Sequence, residues 1–217
     1  MGDWVRPFQT NDSSFLEVRV LKENYKQEMQ KRQAEQRAKV QQASDPDRGL
    51  ILVHTGNGKG KSTSAFGVIV RALGWQKSVA VVQFIKGSWR TGERAFFTKM
   101  KGVTWHTMGE GFTWDTQDRE RDTVVAQAAF SKASDYLKSG EYDLVVLDEI
   151  NIAIRQGYLD IPALLAALEE RANTTSVILT GRDAKPEICA AADLVTEMTE
   201  IKHPYAAGIK AQRGIDY

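Results

Sequence analysis

Residues 52 to 63 read Leu-Val-His-Thr-Gly-Asn-Gly-Lys-Gly-Lys-Ser-Thr, an apolar strand pattern that runs through a glycine-rich turn into a helix pattern. Few segments restrict a fold so strongly. Gly56, Gly58 and Gly60 let the backbone turn with its N–H groups converging, an arrangement that takes phosphate oxygens. Lys61 adds a point charge, and the positive end of the following helix dipole faces the same place. Ser62 offers a hydroxyl for Mg²⁺, while Asn57, Lys59 and Thr63 complete the cradle. One departure stands out: the pattern G-x-x-x-x-G-K-S/T wants glycine at 55, and this chain has Thr55.

The context required on either side of such a turn is repeated along the chain. Short apolar runs predict strands at Leu50–His54, Val79–Phe84, Val103–Thr107, Leu144–Leu147, Ser176–Thr180 and Leu194–Met198. Amphipathic stretches predict helices at Lys61–Leu73, Glu93–Met100, Asp118–Lys138, Ile161–Arg171 and Lys185–Ala191. Pro162 and Pro186 fall in first turns, where a missing N–H costs nothing. Gly74 and Gly140 fall just past two helix ends, where a left-handed residue is wanted. The strands carry Val, Ile and Leu with little polar alternation, as strands covered on both faces do. The chain is therefore read as an α/β protein with a parallel sheet.

Three regions are expected. Residues 1–15 show no period and read as an irregular leader. Residues 16–48 hold a Gln-, Lys-, Glu- and Ala-rich helix with a thin stripe of Val18, Leu21, Tyr25 and Met29, followed by a turn-forming linker. Residues 49–217 form the phosphate-binding domain. A chain of 217 residues with 42% hydrophobic and 26% charged residues can bury a core without staples. Net charge is 29 − 28 = +1, which speaks against a general nucleic-acid binder. The lone Cys189 excludes an internal disulfide or a Cys₄ metal site and fits a reducing compartment. No apolar run approaches the ~18 residues of a membrane span, so a cytoplasmic protein is expected.

A second chemical signal is Asp143-Leu-Val-Val-Leu-Asp-Glu149, a buried strand ending in adjacent carboxylates. After a phosphate loop, this is where one carboxylate holds Mg²⁺ and another can orient water. Arg71, on the loop's own helix, and Arg182, after a strand's C-terminal end, would each reach phosphate or form surface ion pairs. A third feature is Gly109-Glu-Gly-Phe-Thr-Trp-Asp-Thr-Gln117, whose Phe112 and Trp114 follow neither helical nor strand spacing. With Lys86, Trp89, Arg90 and Arg94 they suggest a wide, partly apolar and partly cationic surface beside the nucleotide. Read on residues alone, a conventional ATPase or kinase remains open. A nucleic-acid module stays open through the basic helix, which holds six basic and three acidic residues between Lys22 and Lys39.

Taken together, TGNGKGKST, VVQFIKG, GEGFTWDTQ, VVLDE, TGR and the terminal KHPYAAGIKAQRGIDY resemble the P-loop type of ATP:corrinoid adenosyltransferase. The likeness runs through residues 49–217 with the motifs in order, and Thr55 is ordinary in that family. It implies a RecA-like P-loop fold with a six-stranded, mostly parallel sheet. It implies a transferase in which Co(I) of a reduced corrinoid attacks the ribose 5′-carbon of ATP and inorganic triphosphate leaves, ATP lying reversed in the loop. By motif, Gly56–Ser62 would bind triphosphate and Ser62 with Glu149 or Asp148 would hold Mg²⁺ (or Mn²⁺). Phe112 and Trp114 would take the corrin face whose lower ligand is displaced, with Lys86 and Trp89 on the same rim. Relatives take their electron from an external flavoprotein. They also act as homodimers whose N-terminal helix closes over the corrin site.

Overall fold

The computed structural model describes residues 12–44, 46–84, 91–107 and 118–216, with side chains from residue 20 onward. These residues divide into two units, one ending at Asp45 and one starting at Pro46. The first is a single long helix, α1 (Asp12–Gln42). It opens four residues before the expected Leu16, inside the segment read as irregular. Asp12-Ser13-Ser14 are the residue types favoured where helices begin, and their lack of apolar period hid the start. Leu21 and Tyr25 are exposed, and an i,i+4 pair, Glu28 with Arg32, lies along the helix surface.

The second unit is built on six strands: β1 (Ile51–Thr55), β2 (Val79–Gln83), β3 (Val103–Thr107), β4 (Leu144–Asp148), β5 (Ser176–Thr180) and β6 (Leu194–Glu197). Their order across the sheet is β3-β2-β4-β5-β1-β6, and every pairing is parallel. This is the RecA-like P-loop arrangement expected, with the sheet wholly rather than mostly parallel. Among the described residues six helices accompany the strands: α2 (Lys61–Gly74), α3 (Gly92–Phe97), α4 (Arg119–Ser139), α5 (Ile150–Arg155), α6 (Ile161–Glu169) and α7 (Pro186–Ala191). Of these, α5 was not anticipated. Ile-Asn-Ile-Ala-Ile-Arg is too short and too apolar for a helical period to show against the strand before it.

Strand pleating sorts the core into two layers. Val79 and Val81 of β2, with Leu144 and Val146 of β4, face Ala65, Phe66 and Ile69 of α2. Their alternates, Ala80, Val82, Val145 and Leu147, face Ala126, Ala129, Ala133 and Leu137 of α4 and Leu164 and Leu168 of α6. The register that pairs Val79 with Leu144 and Ala80 with Val145 keeps both layers aligned. On the α2 side, Phe97 and Trp105 stack at 6.0 Å with rings 11° apart, and Phe66 lies 5.6 Å from Trp105, tying α2, α3 and β3 together.

Two expectations fail in instructive ways. Only β2 and β4 are buried throughout, whereas β6, an edge strand, is exposed along its length; its Leu194 and Val195 promised a covered strand that sheet position denies. Gly140 does close α4 in the left-handed region, at φ 71°. Gly74 does not close α2: it is the last helical residue, and Gln76 takes the positive φ of 57°. The Trp75 N–H donates to Ala72 C=O at 3.0 Å and the Gln76 N–H to Leu73 C=O at 2.9 Å, which carries the helix one residue further before the chain turns.

Candidate functional site

All six strands point the same way, so the loops after β1, β4 and β5 meet at one edge of the sheet, where open parallel sheets take ligands. The loop after β1 carries the glycine-rich turn. Gly56 has φ 93°, and a Cβ there would stand 2.4 Å from the Met198 carbonyl oxygen. A Cβ on Gly58 would come within 2.8 Å of the Thr199 carbonyl oxygen. Glycine is needed because the segment after β6 passes directly against the loop. That segment is also bonded to it: the Met198 N–H donates to Thr55 C=O at 2.8 Å, and the Gly58 N–H donates to Met198 C=O at 2.7 Å. A cavity of about 340 Å³ lies between Gly58–Lys59 and the tail residues Thr199 to Pro204.

Gly60, left-handed at φ 113°, starts α2 without a side-chain cap, and no acidic residue sits in the first turn. The first amides of the helix thus keep their hydrogen-bonding capacity and positive end for an anion. Lys61 is buried, and its Nζ donates to Gly58 C=O at 2.5 Å, folding back across its own loop. Burial lowers its pKa, Glu149 opposes that, and Arg182 adds to it, so all three groups lie within electrostatic reach of one another. Ser62 is half-buried beside Lys61; Asn57, Lys59 and Thr63 are exposed. His54, under the loop, is buried with Nδ1 3.4 Å from Lys61 C=O, and burial depresses its pKa. Burial thus favours the neutral ring beneath the loop.

The carboxylates at the end of β4 differ sharply. Asp148 is fully buried, its Oδ2 accepting from Gln83 Nε2 at 2.9 Å and its Oδ1 from Thr180 Oγ at 2.8 Å. Thr180 Oγ in turn accepts the Glu149 N–H at 2.8 Å, holding Glu149 at φ 64°. One hydroxyl at the end of β5 therefore fixes both acidic residues. Gln83 is itself held, its Oε1 accepting from Trp105 Nε1 at 3.2 Å. Sequence reasoning passed over Thr180 and Gln83 as site residues, although a polar residue ending an otherwise apolar strand was visible in both cases.

The other expected residues are scattered. Arg182 is exposed in the turn after Gly181, on the same edge as Lys61. Arg71 lies in the last turn of α2, exposed, and ten residues at 1.5 Å each put it about 15 Å along the helix from Lys61. It is not brought to the loop. Lys86, Trp89, Phe112 and Trp114 lie outside the described residues.

Ser62, Asp148 and Glu149 are hard oxygen donors, the set that suits Mg²⁺, which takes one or two carboxylates plus substrate phosphates. No group of three or more His, Cys, Asp or Glu able to hold a metal gathers among the described residues, and magnesium requires none. None of the described helices is long and apolar enough to cross a membrane.

Comparison with known proteins agrees with this geometry. Residues 47–217 match the family described as ATP:corrinoid adenosyltransferase BtuR/CobO/CobP. The corrinoid adenosyltransferase of Pseudomonas aeruginosa is 50% identical over 196 residues, covering 90% of this chain and 96% of that protein. The corrinoid adenosyltransferase of Escherichia coli K12 is 45% identical over 195 residues, covering 90% and 98%. Among solved structures, the flagellar accessory protein FlaH from Methanocaldococcus jannaschii aligns with a TM-score of 0.48 at 16% identity, over 69% of this chain and 71% of that one. With a phosphate loop, a fixed carboxylate pair and this extent of likeness, the chain belongs to the ATP:corrinoid adenosyltransferase family, transferases that adenosylate corrinoids.

Proposed function

We propose that this adenosyltransferase takes the 5′-deoxyadenosyl group of ATP onto Co(I) of a reduced corrinoid and releases inorganic triphosphate. The cobalt–carbon bond forms as the C5′–oxygen bond breaks, and the bonding electrons leave with the triphosphate. The observation that carries this reading is the makeup of the loop: an uncapped helix end, glycines pressed against the tail, and the buried Lys61, the parts that take phosphate oxygens. Charge that accumulates on a leaving triphosphate is what such a preorganised array stabilises, commonly the largest catalytic contribution. Holding the reactants in line removes the bimolecular entropy cost, worth roughly 7–11 kcal/mol in good geometry. A cobalt nucleophile carries no proton, so no general base is required.

In this scheme residues 56–63 hold the triphosphate, with ATP reversed so that its terminal phosphate sits deepest. Lys61 leaves Gly58 C=O to meet it, and Arg182 faces it across the strand edge. Ser62 and Glu149 would hold Mg²⁺, and Asp148, with an oxygen on each of Gln83 and Thr180, orients Glu149 through the shared Thr180 hydroxyl. When bound, Mg²⁺ neutralises phosphate charge. Phe112 and Trp114 would take the corrin face from which the lower ligand has gone, excluding water and offering no donor atom, and Lys86 and Trp89 would be further corrin-binding residues. The electron that makes Co(I) comes from an external flavoprotein. The enzyme works in the cytoplasm as a homodimer.

The deciding experiment is incubation with ATP, Mg²⁺ and chemically reduced corrinoid. The expected products are a light-sensitive organocobalt species and inorganic triphosphate in equal amounts. Orthophosphate with ADP would overturn the reversed placement of ATP and favour a conventional ATPase.

A further inference from the structure

The segment beyond β6 fastens to the phosphate loop at both of its ends. At the near end, Met198 bonds through its main chain to Thr55 and Gly58. The chain then passes Thr199 to Pro204, makes a 3₁₀ turn over Pro204–Ala207, and returns. At the far end, Asp216 meets Lys59 with Nζ to Oδ1 at 2.5 Å. The other Asp216 oxygen, Oδ2, accepts the Gln212 N–H at 2.8 Å, closing a turn that aims the carboxylate. The Lys59 side chain keeps 52% of its surface exposed and that of Asp216 only 11%, so the lysine comes to the acid. Both contacts fall on a stretch of loop from Thr55 to Gly60.

We propose that Asp216 is a positioning residue for ATP: by holding Lys59 it keeps the tail clasped on the phosphate loop and the loop in its nucleotide-ready shape. The inference rests on the loop being the ATP site. A half-exposed ion pair adds little to overall stability. Its position is what matters: Lys59 stands between two glycines, and Asp216 ties the loop to the far end of the tail, whereas the Met198 bonds at Thr55 and Gly58 tie it only to the near end. Without the clasp the loop samples other shapes, and nucleotide binding must first select the right one, which weakens apparent affinity by the lost fraction. The Lys59 hydrogen bond, the Gln212 N–H and the Lys59 charge all hold the Asp216 carboxyl below the ordinary carboxylate range, in keeping with a persistent contact.

The test is a double-mutant cycle on the full chain, Asp216→Asn, Lys59→Met and both together, with Asp216→Glu as the conservative variant. Affinity for MgATP is measured by calorimetry, and KM is measured separately for ATP and for corrinoid. Asp216→Asn is expected to weaken ATP roughly threefold to fivefold. The KM for corrinoid should not move, Asp216→Glu should restore most of the loss, and the Asp216→Asn loss should vanish in the Lys59→Met background. An equal loss in both backgrounds, unchanged binding, or tighter binding from a freed Lys59 overturns the clasp. If Asp216→Asn does not fold, Asp216→Ala takes its place in the cycle: a loss of ATP affinity that persists in the Lys59→Met background, or no loss at all, overturns it. Release of orthophosphate by the wild-type enzyme would instead refute the proposed reaction and leave this cycle readable, because it scores only ATP binding.

Discussion

Thr180→Val removes one oxygen atom and changes little in shape, which makes it a sharp probe of the carboxylate pair. Thr180 is fully buried, and its hydroxyl both donates to Asp148 Oδ1 and accepts the Glu149 N–H, each at 2.8 Å. A hydrogen bond to a charged group contributes about 1.5–3 kcal/mol and a neutral one about 0.5–1.5, so the expected loss is about 2–4 kcal/mol. For a domain of this size each kcal/mol moves Tm by roughly 2–4 °C, which puts the fall at about 6–12 °C for a mid-range loss. Glu149 also loses the bond that holds it at positive φ, a conformation that costs a non-glycine residue about 1–2 kcal/mol. Its carboxylate should then drift, and kcat/KM should fall further than stability alone requires. Thr180→Ser keeps the oxygen and should stay near wild type in both respects. Thermal unfolding and adenosylation rates of the three proteins settle the matter. A Thr180→Val protein within about 2 °C of wild type, or one equal to it in rate, would refute the role given to this hydroxyl.

Gly56→Ala should be more severe than an ordinary loop change, because the new methyl would lie 2.4 Å from a backbone oxygen at a residue with φ 93°. Nucleotide affinity should collapse with the chain still folded through its other strands, as read by ATP titration beside circular dichroism. At the opposite edge of the sheet, Arg48 and the Ile51 N–H lower the pKa of Asp193 to about 2. With the folded value below the unfolded 3.8, ionised Asp193 favours the folded state above about pH 4, and the contribution fades as pH falls toward about 2. The Tm gap between wild type and Asp193→Asn should therefore be open at pH 7 and closed near pH 2; a gap constant with pH would contradict this. Phe112→Ala and Trp114→Ala should slow turnover from Co(II) corrinoid more than turnover from chemically made Co(I), and equal losses would remove their part in lower-ligand displacement.

What the sequence makes legible follows physical range. β2, β4 and β5 stand out because burial on both faces demands unbroken apolar runs, and α2 and α4 because their stripes repeat over several turns. The phosphate loop stands out because only glycine serves where Met198 and Thr199 press on the backbone. The helix α5 is hidden because a single turn of apolar residues has no period to read. Thr180 and Asp216 are hidden for another reason: their partners are remote in sequence, Asp148 lying 32 residues from Thr180. A lone threonine or aspartate carries no pattern until the fold brings its partner near. Gly74 misled because glycine near a helix end is a preference and not a rule; here Gln76 accepted the left-handed turn.

The strand order has a consequence for how the enzyme comes into being. Of the described strands β1 is laid down first, yet one of its two neighbours, β6, is made after the other five. A chain growing from its N-terminus can assemble β3, β2, β4, β5 and β1 while synthesis continues, but the glycine turn then lacks its outer wall. Only when the segment from Met198 to Asp216 leaves the ribosome does the turn acquire both of its contacts. Competence to take nucleotide thus waits on a strand made long after the turn itself, and a chain cut short before β6 would carry the whole sequence signature of the turn without its grip.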